Sequence, residues 1–264
     1  METTLLHRYD FHIHAGHVGC ANATMQVPAI VEECQRLGVT DLAITDHMDR
    51  PEQLPAHMAI REEIARLEPD INVFFGAECN FLSPEGRFFL DPEQMQEHGF
   101  QFVIGGIHDL YMDGQHDIGK LIAIQHRHHL LTCENPMVEV LVHPYWMARD
   151  WFTARGWPFI DSLKVIPQAY VEELAQASVE TGTAIEINAT GILAHKNYAH
   201  LRAEYVDYLA ALAEDGVTFS VGSDAHDITH LANIGVAWEV AEGIGLSEDR
   251  VWHPRCKPLA GPDS

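Results

Sequence analysis

The run Asp10-Phe11-His12-Ile13-His14 sets two imidazoles two positions apart in a segment of strand character. Along a strand, residues i and i+2 point to one face, so His12 and His14 can approach a single cation while Phe11 and Ile13 pack on the other side. A second pair with the same spacing, Asp224 and His226, follows an apolar strand in Gly222-Ser223-Asp224-Ala225-His226 and combines a hard oxygen with a borderline nitrogen. Four further strand exits carry similar groups: Asp46 and His47 after Ile44-Thr45, Glu78 after Gly76-Ala77, His108 after Gly106-Ile107, and His143 before Pro144. Each has a plain alternative, since a strand-end His can be a packed hydrogen-bonding group and Asp224 can cap a helix. Their joint recurrence at strand ends points to metal chemistry. The set exceeds one tetrahedral shell of four ligands, so two or three divalent ions are expected. Glu78 suits a bridge because one carboxylate offers two oxygens.

The elements that must position these groups alternate between strands and helices. Strands are expected near residues 10, 43, 75, 105, 140, 186 and 219. Helices are expected over 28–37, 54–67, 168–180 and 201–214, with a short one opened by Asp91-Pro92-Glu93 and another near 118–128. Ser83-Pro84-Glu85-Gly86 predicts a small hairpin joining 81–82 to 87–90. Residues 145–167 lack a clean period, carry Trp146, Trp151 and Trp157, and read as an excursion over one end of a single domain. The alternation implies a parallel α/β architecture. A barrel is favoured over an open sheet, because loops at one barrel face bring polar residues from many strand ends together.

Composition narrows the functional classes. The 264 residues carry a net charge of −23, with 16 Lys plus Arg against 39 Asp plus Glu, which opposes an extended nucleic-acid groove. The 18 histidines outnumber Lys plus Arg. Five cysteines are unevenly spaced and form no CxxC pair, so neither a disulfide framework nor a cysteine-rich zinc module is expected. With no secretory pattern at the start and no apolar run of 18 residues, a soluble protein of the reducing cytoplasm is expected.

Together, DFHIHAG at 10–16, ITDH at 44–47, GAE at 76–78, GGIH at 105–108, LVHP at 141–144 and GSDAH at 222–226 resemble the PHP family of polymerase-associated and histidinol-phosphatase enzymes. The resemblance implies a distorted seven-stranded (β/α)7 TIM-like barrel with a trinuclear metal centre at its C-terminal face. It places His12, His14, Glu78 and Asp224 around one ion. Glu78 bridges to a second, held by His108 and His143, and His47 and His226 serve the third. The family's further histidine for that third ion falls at Cys20, with His17 as the nearby substitute. Asp10, Glu186 and Asn188 are expected to support the metal shell.

The expected reaction is hydrolysis of a small phosphate monoester by a metal-bridging hydroxide, without a covalent intermediate. Cations would create an electropositive well inside an acidic protein. His226, Asp46 or a metal-bound water would protonate the leaving group, and Asp224 counts among the catalytic groups. Arg127 and Arg155 could grip phosphate, with Trp146, Trp151 and Trp157 as the organic wall. The rivals are a phosphodiesterase, an amidohydrolase-like hydrolase, and an inactive metal-binding domain. Zinc, manganese and iron all suit the mixed donors, and Cys20 tilts the choice towards zinc. The homo-oligomeric state stays open.

Overall fold

A computed structural model describes residues 8–146 and 148–264. Each of the seven expected strand positions carries a strand. These are β1 (Tyr9–Ile13), β2 (Asp41–Ile44), β3 (Asn72–Phe75), β4 (Ala77–Asn80), β5 (Val103–Gly106), β6 (Val138–Leu141), β7 (Ala184–Asn188) and β8 (Phe219–Gly222). Among the described residues there are eight strands rather than seven, because the third is interrupted at Gly76. A β-carbon there would sit 3.0 Å from the Phe102 ring and from the Thr45 methyl, so a glycine fits the close approach.

The pairings between these strands are parallel, in the orders β1-β2-β3 and β4-β5-β6-β7-β8. Backbone bonds continue beyond the strand ends. Gly76 donates to the Ile44 carbonyl at 3.0 Å and Glu78 to that of Asp46 at 3.0 Å, while Asp224 donates to the His12 carbonyl at 2.8 Å and His14 to that of Ala225 at 3.2 Å. Donor-bearing segments from the two sheets are thereby fixed against one another.

The helices are α1 (Val27–Arg36), α2 (Leu54–Ala65), α3 (Pro92–His98), α4 (Ile118–Glu134), α5 (Arg149–Ala154), α6 (Gln168–Thr181), α7 (Arg202–Glu214) and α8 (Ile234–Gly243). Local chemistry sets their ends. Asp91 and Gln94 form a reciprocal capping box on α3, which Gly99 closes in the left-handed region at φ 72°. Helix α4 runs six residues past its expected end, and α8 lies in a stretch for which no helix was expected.

Two local expectations are corrected. Residues 81–90 turn back through Leu82 donating to Arg87 and Gly86 donating to Ser83, without forming paired strands. Phe81 and Phe88 stack at 5.0 Å instead, so ring packing replaces a ladder. Nor do Phe11 and Ile13 pack into one cluster, and the β1–β2 register shifts between Asp10 and Ile13. Phe11 joins a small cluster with Phe74, Phe102, Val140 and Trp252, and Ile13 joins the main core. The 145–167 excursion contains α5, and Phe152 and Trp157 form a third cluster with Ile107, Leu110 and Leu121.

Candidate metal centre

Glu78 ends up between two sets of imidazoles. Its Oε2 lies 2.9 Å from His47 Nδ1, 3.5 Å from His12 Nε2 and 3.6 Å from His14 Nε2. Its Oε1 lies 3.1 Å from His143 Nε2 and 3.6 Å from His108 Nε2. Asp224 Oδ1 faces the same group, 3.3 Å from His14 Nε2, 3.6 Å from His12 Nε2 and 3.5 Å from His226 Nδ1. Burial pulls the Glu78 carboxyl upward, but His47, His108, His12 and His143 outweigh it and hold the group well below the carboxylate range. Asp224 is lowered in the same way, burial being overcome by His12 and His14.

Three donor groups have their atoms within 4.8 Å of one another: His12, His14 and Asp224; His47, Glu78 and His108; and His14, Cys20, His47 and His226. In and beside these groups, ring nitrogens also face one another closely. His12 Nε2 faces His14 Nε2 at 3.0 Å, and His108 Nε2 faces His143 Nε2 at 3.3 Å. Glu78 Oε2 is buried and, although His47 Nδ1 lies 2.9 Å away, has no partner in hydrogen-bonding geometry. Converging nitrogen lone pairs around an unpartnered carboxylate oxygen fit divalent cations.

A further ring of groups holds these donors in place. Glu186 Oε1 accepts from His12 Nδ1 at 2.7 Å, which leaves Nε2 aimed at the centre, and Oε2 accepts the His143 backbone N–H at 2.8 Å. Burial opposes charge on His12, yet Glu186 and Asp224 outweigh it and raise the imidazole well above its ordinary value. Asn188 Nδ2 donates to Glu186 Oε2 at 3.0 Å and Asp224 Oδ2 at 3.2 Å. Asp10 Oδ1 accepts the Ser223 N–H at 2.8 Å, tying β1 to the exit of β8. Asp46 Oδ2 accepts from Ala15 N at 2.9 Å, Oδ1 lies 3.5 Å from Cys20 Sγ, and burial pushes its carboxyl up to about 7.

Backbone geometry adds to this. His143 (φ 32°), Tyr145 (φ 59°) and Asp224 (φ 52°) occupy the left-handed region although none is glycine. Non-glycine residues stay there when their surroundings over-determine them, as the His143 N–H to Glu186 bond does here.

The other sequence candidates are distributed unevenly. Cys20 joins the centre, with Sγ 3.8 Å from His14 Nδ1, whereas His17 turns away to Glu63 at 2.9 Å. Trp146 and Trp151 line a cleft of about 270 Å³ with His47, Glu78, Ile107, His108, Ala148, Asp224 and His226. Three candidates for substrate contact are not brought to this cleft. Trp157 is packed in the core with its N–H on the Gly114 carbonyl, Arg155 pairs with Asp109 at 2.9 Å and stacks 3.7 Å above Trp151, and Arg127 is exposed on α4. Sequence reasoning missed Asn80, whose Nδ2 lies 3.2 Å from His47 Nδ1 and 3.2 Å from Asp49. Its signal was the i+2 position after Glu78 on β4.

Comparisons with known proteins agree with the motif order. A probable phosphatase of Syntrophotalea carbinolica is 26% identical over 255 residues, covering 95% of this chain and 93% of that protein. A probable phosphatase of Proteus mirabilis is 22% identical over 251 residues, covering 92% and 89%. The fold is similar to the crystal structure of a candidate histidinol phosphatase from Listeria monocytogenes, with a TM-score of 0.59 at 12% identity, covering 85% of this chain and 97% of that one. The PHP domain pattern matches residues 10–221, and the chain belongs to the PHP family.

Proposed function

We propose that this protein is a metal-dependent phosphatase acting on monoesters of small metabolites. The carrying observation is the Glu78 carboxylate, each oxygen of which faces a different set of imidazoles. His12, His14, Glu78 and Asp224 would hold one cation, Glu78, His108 and His143 a second, and Cys20, His47 and His226 a third. Bound there, divalent cations supply Lewis acidity towards phosphoryl oxygens and a water acidic enough to act as nucleophile near neutral pH. We read the chain as one domain whose strands close into a distorted seven-stranded barrel, β3 and β4 counting as one bent strand. The β1–β8 backbone bonds support that closure.

The protein's own groups orient and enclose the substrate. No Lys or Arg lines the Trp146–Trp151 cleft among the described residues, so a phosphate would owe its neutralisation to the centre rather than to a guanidinium clamp. Ile107, Trp146, Ala148 and Trp151 offer apolar surface to the alcohol portion. The Trp146 Nε1–H, buried and unpartnered, is a donor available to an ester or phosphoryl oxygen. His226, which lines the cleft, or Asp46 beneath it would deliver a proton to the leaving oxygen.

One observation favours hydrolysis of a diester as a second reading. A second cleft of about 270 Å³ shares His47 and His108 with the first and extends over Asp49, Asn80 and Tyr111, giving room for a second substituent. Metal analysis alongside phosphate release from matched monoesters and diesters separates the two. Monoester turnover abolished by chelation is expected, and diester-first turnover would reverse the assignment. Glu78→Gln should lose metal from two sites and activity by at least 100-fold, roughly the upper range for losing even an outer-shell partner. Retained metal and rate would end the bridging role.

A further inference from the structure

The donor group containing Cys20 differs in kind from the other two. Cys20, His47 and His226, with His14 beside them, offer one sulfur and imidazole nitrogens and no carboxylate. The other two groups each contain a carboxylate, from Asp224 or Glu78. His14 stands between the two environments. Its Nε2 faces Asp224 Oδ1 at 3.3 Å, its Nδ1 faces Cys20 Sγ at 3.8 Å, and its ring stacks on His226 at 4.0 Å.

The loop carrying the sulfur is anchored to the site. Gly16 N–H donates to the Met25 carbonyl at 2.8 Å, and Asn22 N–H donates to the His226 carbonyl at 2.9 Å. Gly19, at φ 90°, makes the turn that returns the chain to the centre at Cys20. The loop is therefore bonded to the segment that carries His226, one of its neighbouring donors. Cys20 is also solvent-accessible, which leaves this donor group open to an incoming ion.

Thiolate and imidazole favour zinc, whereas carboxylate-rich sets accept harder ions such as manganese or ferrous iron. Resting on the metal-centre reading above, we infer that the centre is mixed: a sulfur-containing position selective for a soft divalent ion such as zinc lies beside carboxylate-containing positions that accept harder ions. Coordination at sulfur would displace the thiol proton, which Asp46 Oδ1, 3.5 Å from Sγ, would accept. Cys20 is then a determinant of metal choice.

Cobalt substitution tests this without relying on turnover. The full-length protein, stripped and reloaded with Co(II), should show a near-ultraviolet sulfur-to-cobalt charge-transfer band. Cys20→Ser should lose that band and one equivalent of metal, and Cys20→His should keep the equivalent but lose the band. In competition between zinc and manganese, both variants should lose at least about 10-fold of the preference at that position, as expected when even outer-shell changes cost that much. A full complement of cobalt in the unmodified protein with no sulfur band would overturn the sulfur assignment and leave the metal centre standing. Failure of the folded protein, native by circular dichroism, to bind cobalt at all would overturn the centre itself and this inference with it.

Discussion

Glu186 shows how much one carboxylate can organise. It hydrogen-bonds His12 through one oxygen and the His143 backbone through the other, so donors from β1 and the β6 exit share a single reference point. Glu186→Gln keeps the shape but offers an amide N–H2 where one of these bonds needs an acceptor. Metal affinity or turnover should fall by about 10–100-fold, read by metal titration with folding monitored separately. The Asp41–His253 pair, 3.2 Å apart, lies away from this chemistry. Burial opposes the charge on each, yet for Asp41 the bonds from His253, Asn72 and Thr40 outweigh it, and for His253 the bond to Asp41 does. Asp41 is therefore lowered and His253 raised. The pair's stabilisation should be complete between about pH 3.9 and 6.5, decline above that as His253 loses its proton, and decline below as Asp41 gains one. Melting temperature across pH, compared with His253→Gln, checks this: the variant should lose the difference on both flanks.

At the scale of elements, the centre depends on close backbone approach. A β-carbon at Gly222 would press on Glu186 Oε1 and lie 2.5 Å from the His12 β-carbon. Gly222→Ala should cost about 1–3 kcal/mol of stability through overpacking and should weaken metal binding as well, seen as a lower denaturant midpoint together with reduced metal content. The strand exits were legible in sequence because polar donors directly after short apolar runs are conspicuous, and the i, i+2 rule brought His12 and His14 to one group. The same rule applied to Glu78 would have reached Asn80. Helix α8 was missed because Ile234, Ala237, Trp238, Val240 and Ala241 are all buried, so polar residues do not mark one clear face, and Gly235 and Gly243 weaken its intrinsic propensity. The hairpin at 81–90 was over-read because its turn residues are genuine while its flanks are held by aromatic stacking. That Arg155 pairs with Asp109 and stacks on Trp151 is a tertiary fact that spacing does not carry.

At the scale of the molecule, a net charge of −23 surrounds a centre whose own buried carboxylates repel one another. Cations bound only by the folded state stabilise it, by about 2.7 kcal/mol for one ion at 100 times its dissociation constant. Chelation should lower the melting temperature by roughly 5–10 °C for a chain of this size, and readdition should restore it. An unchanged scan would mean that the donors are not linked to folding. The proposed donors run from His12 to His226, and the Asp10–Ser223 bond joins β1 to the exit of β8. During translation, a nascent polypeptide therefore exposes His12 and His14 long before Asp224 has emerged from the ribosome. The proposed donor set can be complete only once Asp224 and His226 have been made, so a shortage of the right ion would be felt by folded molecules waiting to be filled.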